Sequence, residues 1–80
     1  MTALLLDPAR SIIAKCGGTG EVARVTGRHR TNVYRWQRAV DDGGTGGMIP
    51  AREFKKLLIY ARKMGINLKP EEAFRESRAA

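Results

Sequence analysis

The residue that most limits how this chain folds is Gly27. It stands between a short run with apolar residues, Val22 to Thr26, and an arginine-rich run that ends at Arg38. Glycine takes positive φ without steric penalty, so a turn between two helices is the natural reading of that position. The segment before it, Glu21 to Thr26, is too short to be a stable helix alone. Thr19 suits an N-cap there, and Glu21 suits the first turn. Ala23 is small where two helix backbones would cross closely. After the glycine, a helix is predicted over about 29–39. At about 100° per residue, Val33, Trp36 and Val40 share one stripe of it. Arg30, Thr31, Tyr34, Arg35 and Arg38 fall on the opposite arc.

That arc carries three guanidinium forks, a hydroxyl and a phenol. A guanidinium fork pairs with a guanine edge or clasps a phosphate, and the DNA major groove admits one α-helix. An arginine-rich helix face in isolation is most often plain solvated surface. The short helix and glycine turn in front of it shift the balance toward a helix that reads nucleic acid. Arg30, Thr31, Tyr34 and Arg35 are then the candidates for base contacts. Thr19, Arg28, His29 and Arg38 are candidates for phosphate contacts. His29 stands at the cap position of the second helix, where capping, a phosphate contact and simple solvation are all open to it. One histidine is no metal site.

The charge is distributed in keeping with this reading. The 80-residue chain has a formal charge of +7, and residues 1–40 carry +5 of it. From Arg24 to Arg38 there are five arginines and no acidic residue. A patch of this kind attracts polyanions in a salt-dependent way. Basic charge alone also fits a membrane surface, but no basic helix here has the broad apolar face that role needs. Neither a signal peptide nor a membrane span is legible, which points to a soluble, intracellular protein.

Eighty residues make one domain with a thin core and little room for an enclosed substrate pocket. Asp7 and Pro8 start a first helix whose apolar face is Ala9, Ile12, Ile13 and Cys16, with Gly17 and Gly18 ending it. Cys16 reads as a small buried hydrophobe rather than a redox group. Residues 41–48, DDGGTGGM, hold four glycines in five positions and cannot lie inside a helix. They are either a flexible linker or a loop whose Gly44 and Thr45 hold a phosphate beside the second helix. Lacking a lysine followed by Ser or Thr, they are not a nucleotide-binding P-loop. Pro50 opens another helix to about Met64, with Phe54, Leu57, Leu58, Ala61 and Met64 inward and Gly65 ending it. Ile59 lies on its solvated side, either covered by a last helix or used in a subunit contact. That last helix is predicted after Pro70, over about 70–77, with Phe74 returning to the core. The fold class expected is all-α, with five helices.

Taken together, Ala23, Gly27, Val33 and Trp36, with the ending VYRW, resemble the helix-turn-helix of the Cro and phage-repressor superfamily. The chain is especially similar to the small Cro/YdaS-like regulators of prophages. Lys15, Gly17 and Gly18 upstream, and Ile49, Pro50 and GINLKPEEAF downstream, extend the resemblance over most of residues 7–75. Two positions depart from the pattern. Arg28 stands where a small apolar residue usually follows the glycine, and His29 where Ser or Thr usually caps. The resemblance implies a lambda-repressor-like fold. It also implies a bacterial cytoplasmic, nucleoid-associated regulator, most simply a repressor, in which the first helix of the pair crosses the DNA backbone and the second enters the major groove. A lone module of this size is usually too weak to be specific. A homodimer on a palindromic site is therefore expected, with Ile59 and Phe74 as the guess for its interface. No cofactor, metal or small-molecule ligand is implied. Two other classes remain: a non-specific architectural DNA-binding protein, which the clustering of arginine disfavours, and an antitoxin-type module, for which no partner-binding tail is evident. One His, one Cys and no acidic pair at metal-ligand spacing make an enzyme the least expected outcome.

Overall fold

The structure is a computed structural model that describes residues 5–74. All regular structure among those residues is helical: four α-helices and two short 3-10 turns. The α-helices are α1 (Ala9–Lys15), α2 (Thr19–Thr26), α3 (Arg30–Arg35) and α4 (Ala51–Met64). The 3-10 turns are Val40–Asp42 and Pro70–Phe74. Where a fifth helix is predicted over 70–77, residues 70–74 form a 3-10 turn, and the remaining positions lie outside the described residues. So does the side chain of Phe74.

The core is assembled from one stripe of each helix. Ala9, Ile12, Ile13 and Cys16 come from the end and length of α1, Val22 from α2, Val33 and Trp36 from α3, and Phe54 and Leu57 from α4. Ile49 closes the side facing the loop. α2 packs on both α3 and α4, so it is the central element. Burying a side chain of this size contributes about 1.5–3 kcal/mol, and α2 and α3 each bury few, so their helicity is sustained by tertiary contact rather than by propensity.

Helix ends follow the glycines. Gly27 and Gly65 both adopt the left-handed conformation, with φ of 74° at each, ending α2 and α4. At α1 the N-cap position falls to Pro8, and the Asp7 carboxylate just before it accepts from the Ser11 backbone N–H at 2.9 Å. At α2 the expectation of a Thr19 cap is corrected. Thr19 is the first helical residue, Gly18 precedes it with φ 100°, and no side chain caps that end.

The end of α3 is the largest departure from the periodicity. The helix stops at Arg35, several residues early, and the chain then turns. Val40 consequently leaves the inward stripe and is 70% exposed. Gln37 is buried in its place, its carbonyl accepting from Leu6 N–H at 2.7 Å. The glycine-rich loop explains the early stop. Thr45 N–H donates to Arg35 O, Gly46 N–H to Arg38 O and Gly44 N–H to Ala39 O. The carbonyls that a longer helix would have used internally are thus satisfied by the loop, as a helix end requires. Gly44 is packed so tightly here that a Cβ on it would lie 2.2 Å from Arg38 O.

α4 keeps its predicted stripe except at its end, where Met64 is exposed rather than buried. Ile59 is 60% exposed, so the turn at 70–74 does not cover it. Lys15 ties that turn down. Its ammonium donates to Asn67 O at 2.9 Å and pairs with Glu72 at 2.8 Å.

Candidate nucleic-acid interface

α3 is two-sided. Val33 is fully buried and Trp36 is 5% exposed, while Arg30, Thr31, Tyr34 and Arg35 are all exposed. The local reason is the short reach of the helix: only one inward residue per turn is available, and Val33 and Trp36 take both places. His29 settles at the N-cap. Its Nδ1 accepts from Thr31 N–H at 3.1 Å, so the ring's own proton sits on Nε2 when it is neutral. The Thr31 hydroxyl lies 3.0 Å from the same Nδ1. His29 thus caps the helix, and Thr31 is drawn toward that cap.

The five arginines of the segment divide by whether an acid has already met them. Arg24 pairs with Glu21 on its own helix. Arg28 places Nε and Nη2 each 2.9 Å from Glu53 Oε2. Arg38 lies 3.7 Å from Asp42, and its guanidinium sits over the Tyr34 ring at 5.4 Å from the centroid. Arg38 Nε is buried without a hydrogen-bond partner. Arg30 and Arg35 alone have no acidic partner among the described residues. A Cβ built on Gly20 would lie 3.8 Å from Arg30 Nη2, an ordinary contact, so the Arg30 side chain lies over the first turn of α2. Thr19, at that same turn, is half-buried.

The glycine-rich loop is placed differently from the phosphate-holding reading of it. The Gly44 and Thr45 amides are engaged with Ala39 and Arg35 carbonyls. The Thr45 hydroxyl faces the Trp36 and Met48 carbonyls, with its oxygen accepting from Met48 N–H. These donors hold the end of α3 and are not presented to a ligand. Ile59, from the interface guess, is exposed on α4, on the solvated flank of that helix.

Two carboxylates bolt this surface to α4. Glu21 accepts from Arg24 and, at 2.6 Å, from the Tyr60 hydroxyl. Those hydrogen bonds, from Arg24 first, lower its pKa to about 2. The same contact with Glu21 raises the Tyr60 phenol above its ordinary value. Glu53 is 2% exposed and lies between Arg28 and Lys56, whose ammonium is 3.3 Å from Oε1 and also donates to Thr26 O at 3.0 Å. Burial pushes the Glu53 carboxyl up, but the hydrogen bonds and charges of Arg28 and Lys56 outweigh it and hold the carboxyl below its usual range. The turn between α2 and α3 is thereby anchored from both sides, by Lys56 on its first carbonyl and by Glu53 on its arginine.

Glu53 is the residue that sequence reasoning missed. Its signal was present: it precedes Leu57 by four and Ala61 by eight, in register with the buried stripe of α4. Burial of Cys16 pushes its thiol up, with Lys15 opposing, which fits a packed side chain rather than a reactive one. No group of three or more His, Cys, Asp or Glu among the described residues is placed to hold a metal ion. No helix there is long and apolar enough to cross a membrane. No protein-family model matches the chain, and neither the curated proteins nor the solved structures compared with it give a match.

Proposed function

We propose that this chain is a sequence-specific double-stranded DNA-binding regulator with a lambda-repressor-like helix-turn-helix, in which α3 enters the major groove. The observation that carries the reading is the two-sidedness of α3. Its Val33 and Trp36 are buried while Arg30 and Arg35 stand exposed on one outer face, without an acidic partner among the described residues. In this reading Arg30 and Arg35, with Tyr34 and Thr31 beside them, meet base edges. Arg28 and the start of α2 meet the phosphate backbone and fix the register. A bidentate arginine–guanine contact discriminates by about 1–3 kcal/mol. Two copies on half-sites about 34 Å apart square that discrimination, so the acting species is a homodimer, with exposed Ile59 in its interface. Regulation follows by occluding a promoter, in a bacterial cytoplasm at the nucleoid.

Gel-shift selection from a random duplex library tests this. The expected result is a short palindromic motif for the wild type, with relaxed preference for Arg30→Ala and Arg35→Ala at separate positions. Equal binding of unrelated duplexes, unchanged by either substitution, would replace this reading with a non-specific architectural role.

A further inference from the structure

Between α3 and the amino end of α4 lies an open hollow of about 200 Å³, lined by Arg28, Asn32, Trp36, Pro50 and Glu53. We propose that it seats one phosphate of the DNA backbone, an inference that rests on the function above and gives it a specific contact. The argument begins with Trp36. The residue is 5% exposed, yet its indole N–H has no hydrogen-bond partner among the described residues. Among the described residues, the unpartnered side-chain nitrogen and oxygen atoms sealed from solvent are Arg38 Nε and Glu53 Oε1, and the indole nitrogen is not among them. It therefore keeps an opening to solvent, on a residue that lines this hollow. A donor that stays open to solvent on an otherwise buried side chain beside a small hollow is available to an acceptor seated there.

Two more donor-bearing residues line it. The Asn32 side-chain amide makes no hydrogen bond among the described residues and is half-buried on the same wall, one helical turn before Trp36. Arg28 keeps Nη1 free, since Glu53 takes Nε and Nη2. Pro50 at the rim is the N-cap of the 14-residue α4, whose first amides have no partner within the helix and whose dipole is positive at that end. The one anionic group on the wall is Glu53. Its Oε2 is covered by Arg28, its Oε1 is sealed from solvent 3.3 Å from Lys56, and the trio together carries one positive charge. The hollow thus offers planar amide, indole and guanidinium donors in a space the size of a phosphate group and its nearest solvent. It lies on the shoulder of α3, with Asn32 about 60° around the helix from Arg35 and about 160° from Arg30, where a strand flanking the groove would pass.

The test uses the duplex chosen by the library selection, with each phosphate replaced in turn by a neutral methylphosphonate. One replacement in each half-site is expected to weaken wild-type binding about tenfold, the loss of a hydrogen-bonded charge. The same replacement should cost Asn32→Ala less than about twofold, because the contact is already gone. The chain has a single tryptophan, so its indole N–H gives one unmistakable NMR resonance. That resonance should move downfield with the unmodified duplex and stay in place with the critical methylphosphonate. If the duplex binds while the indole resonance is unmoved, or if no replacement couples to Asn32, the phosphate seat is overturned and DNA binding stands. If no duplex binds at all, both proposals fall together.

Discussion

At the scale of single residues, Glu21 and Gly44 have consequences out of proportion to their size. Glu21 has its pKa lowered from 4.5 to about 2 by Arg24 and Tyr60. Between those values the unfolded chain binds the proton and the folded chain does not, so stability falls as pH drops through that window. Denaturant unfolding followed from pH 5 to pH 2 should show this slope. It should be shallower in Glu21→Gln, with the remainder coming from Glu53, whose carboxyl is also held low. Gly44 has no room for a side chain, since a Cβ would collide with Arg38 O and Arg35 O. Gly44→Ala is expected to destabilise by about 1–3 kcal/mol or more, as overpacking does, and to lower the thermal midpoint. Gly20→Ala, whose Cβ would meet only an arginine tip at 3.8 Å, should not.

At the scale of elements, the contrast between α2 and α3 shows what a sequence makes legible. Gly27, Gly65, the Asp7–Pro8 start and the apolar faces of α1 and α4 are local signals, and they place their helices closely. The inward places of Val33 and Trp36 were legible for the same reason. The end of α3 was not, because it is decided by partners eight to ten residues later in the chain. The Thr45 and Gly46 amides take carbonyls that a periodic reading assigns to a longer helix, and Val40 swings outward as a result. Glu53 was hidden for the opposite reason: an acid in a first turn ordinarily needs no explanation beyond the helix dipole. In the candidate site, the identity of the exposed residues could be read from spacing. Which arginines are free, and which already hold an acid, could not, since Glu53 lies 25 positions from Arg28. At α3 itself, the His29 cap leads to a clear expectation. His29→Ala should cost about 1 kcal/mol, while His29→Ser, which restores an acceptor for the Thr31 N–H, should cost much less. Chemical denaturation of the two variants side by side measures the difference.

For the whole molecule, the formal charge of +7 and its concentration in the first 40 residues set the range over which a polyanion is attracted. If a complex neutralises about six phosphates, affinity should fall about a thousandfold between 50 and 200 mM salt. Fluorescence anisotropy of a labelled duplex across that range gives the slope. A slope near zero would leave the basic surface without a role in binding.

The loop between α3 and α4 is the feature whose consequence reaches furthest. Its composition suggests a slack tether, yet it is latched to the carbonyls of Arg35, Arg38 and Ala39, and Gly47 O in turn receives Ala9 N–H. The latch joins the exit of the exposed helix to the entrance of α1. Backbone amides of Thr45 and Gly46 should therefore resist deuterium uptake as stubbornly as helical ones do, releasing only when the outward-facing rod itself comes loose. A stretch built half of glycine would then serve as a gauge of how firmly that rod is held.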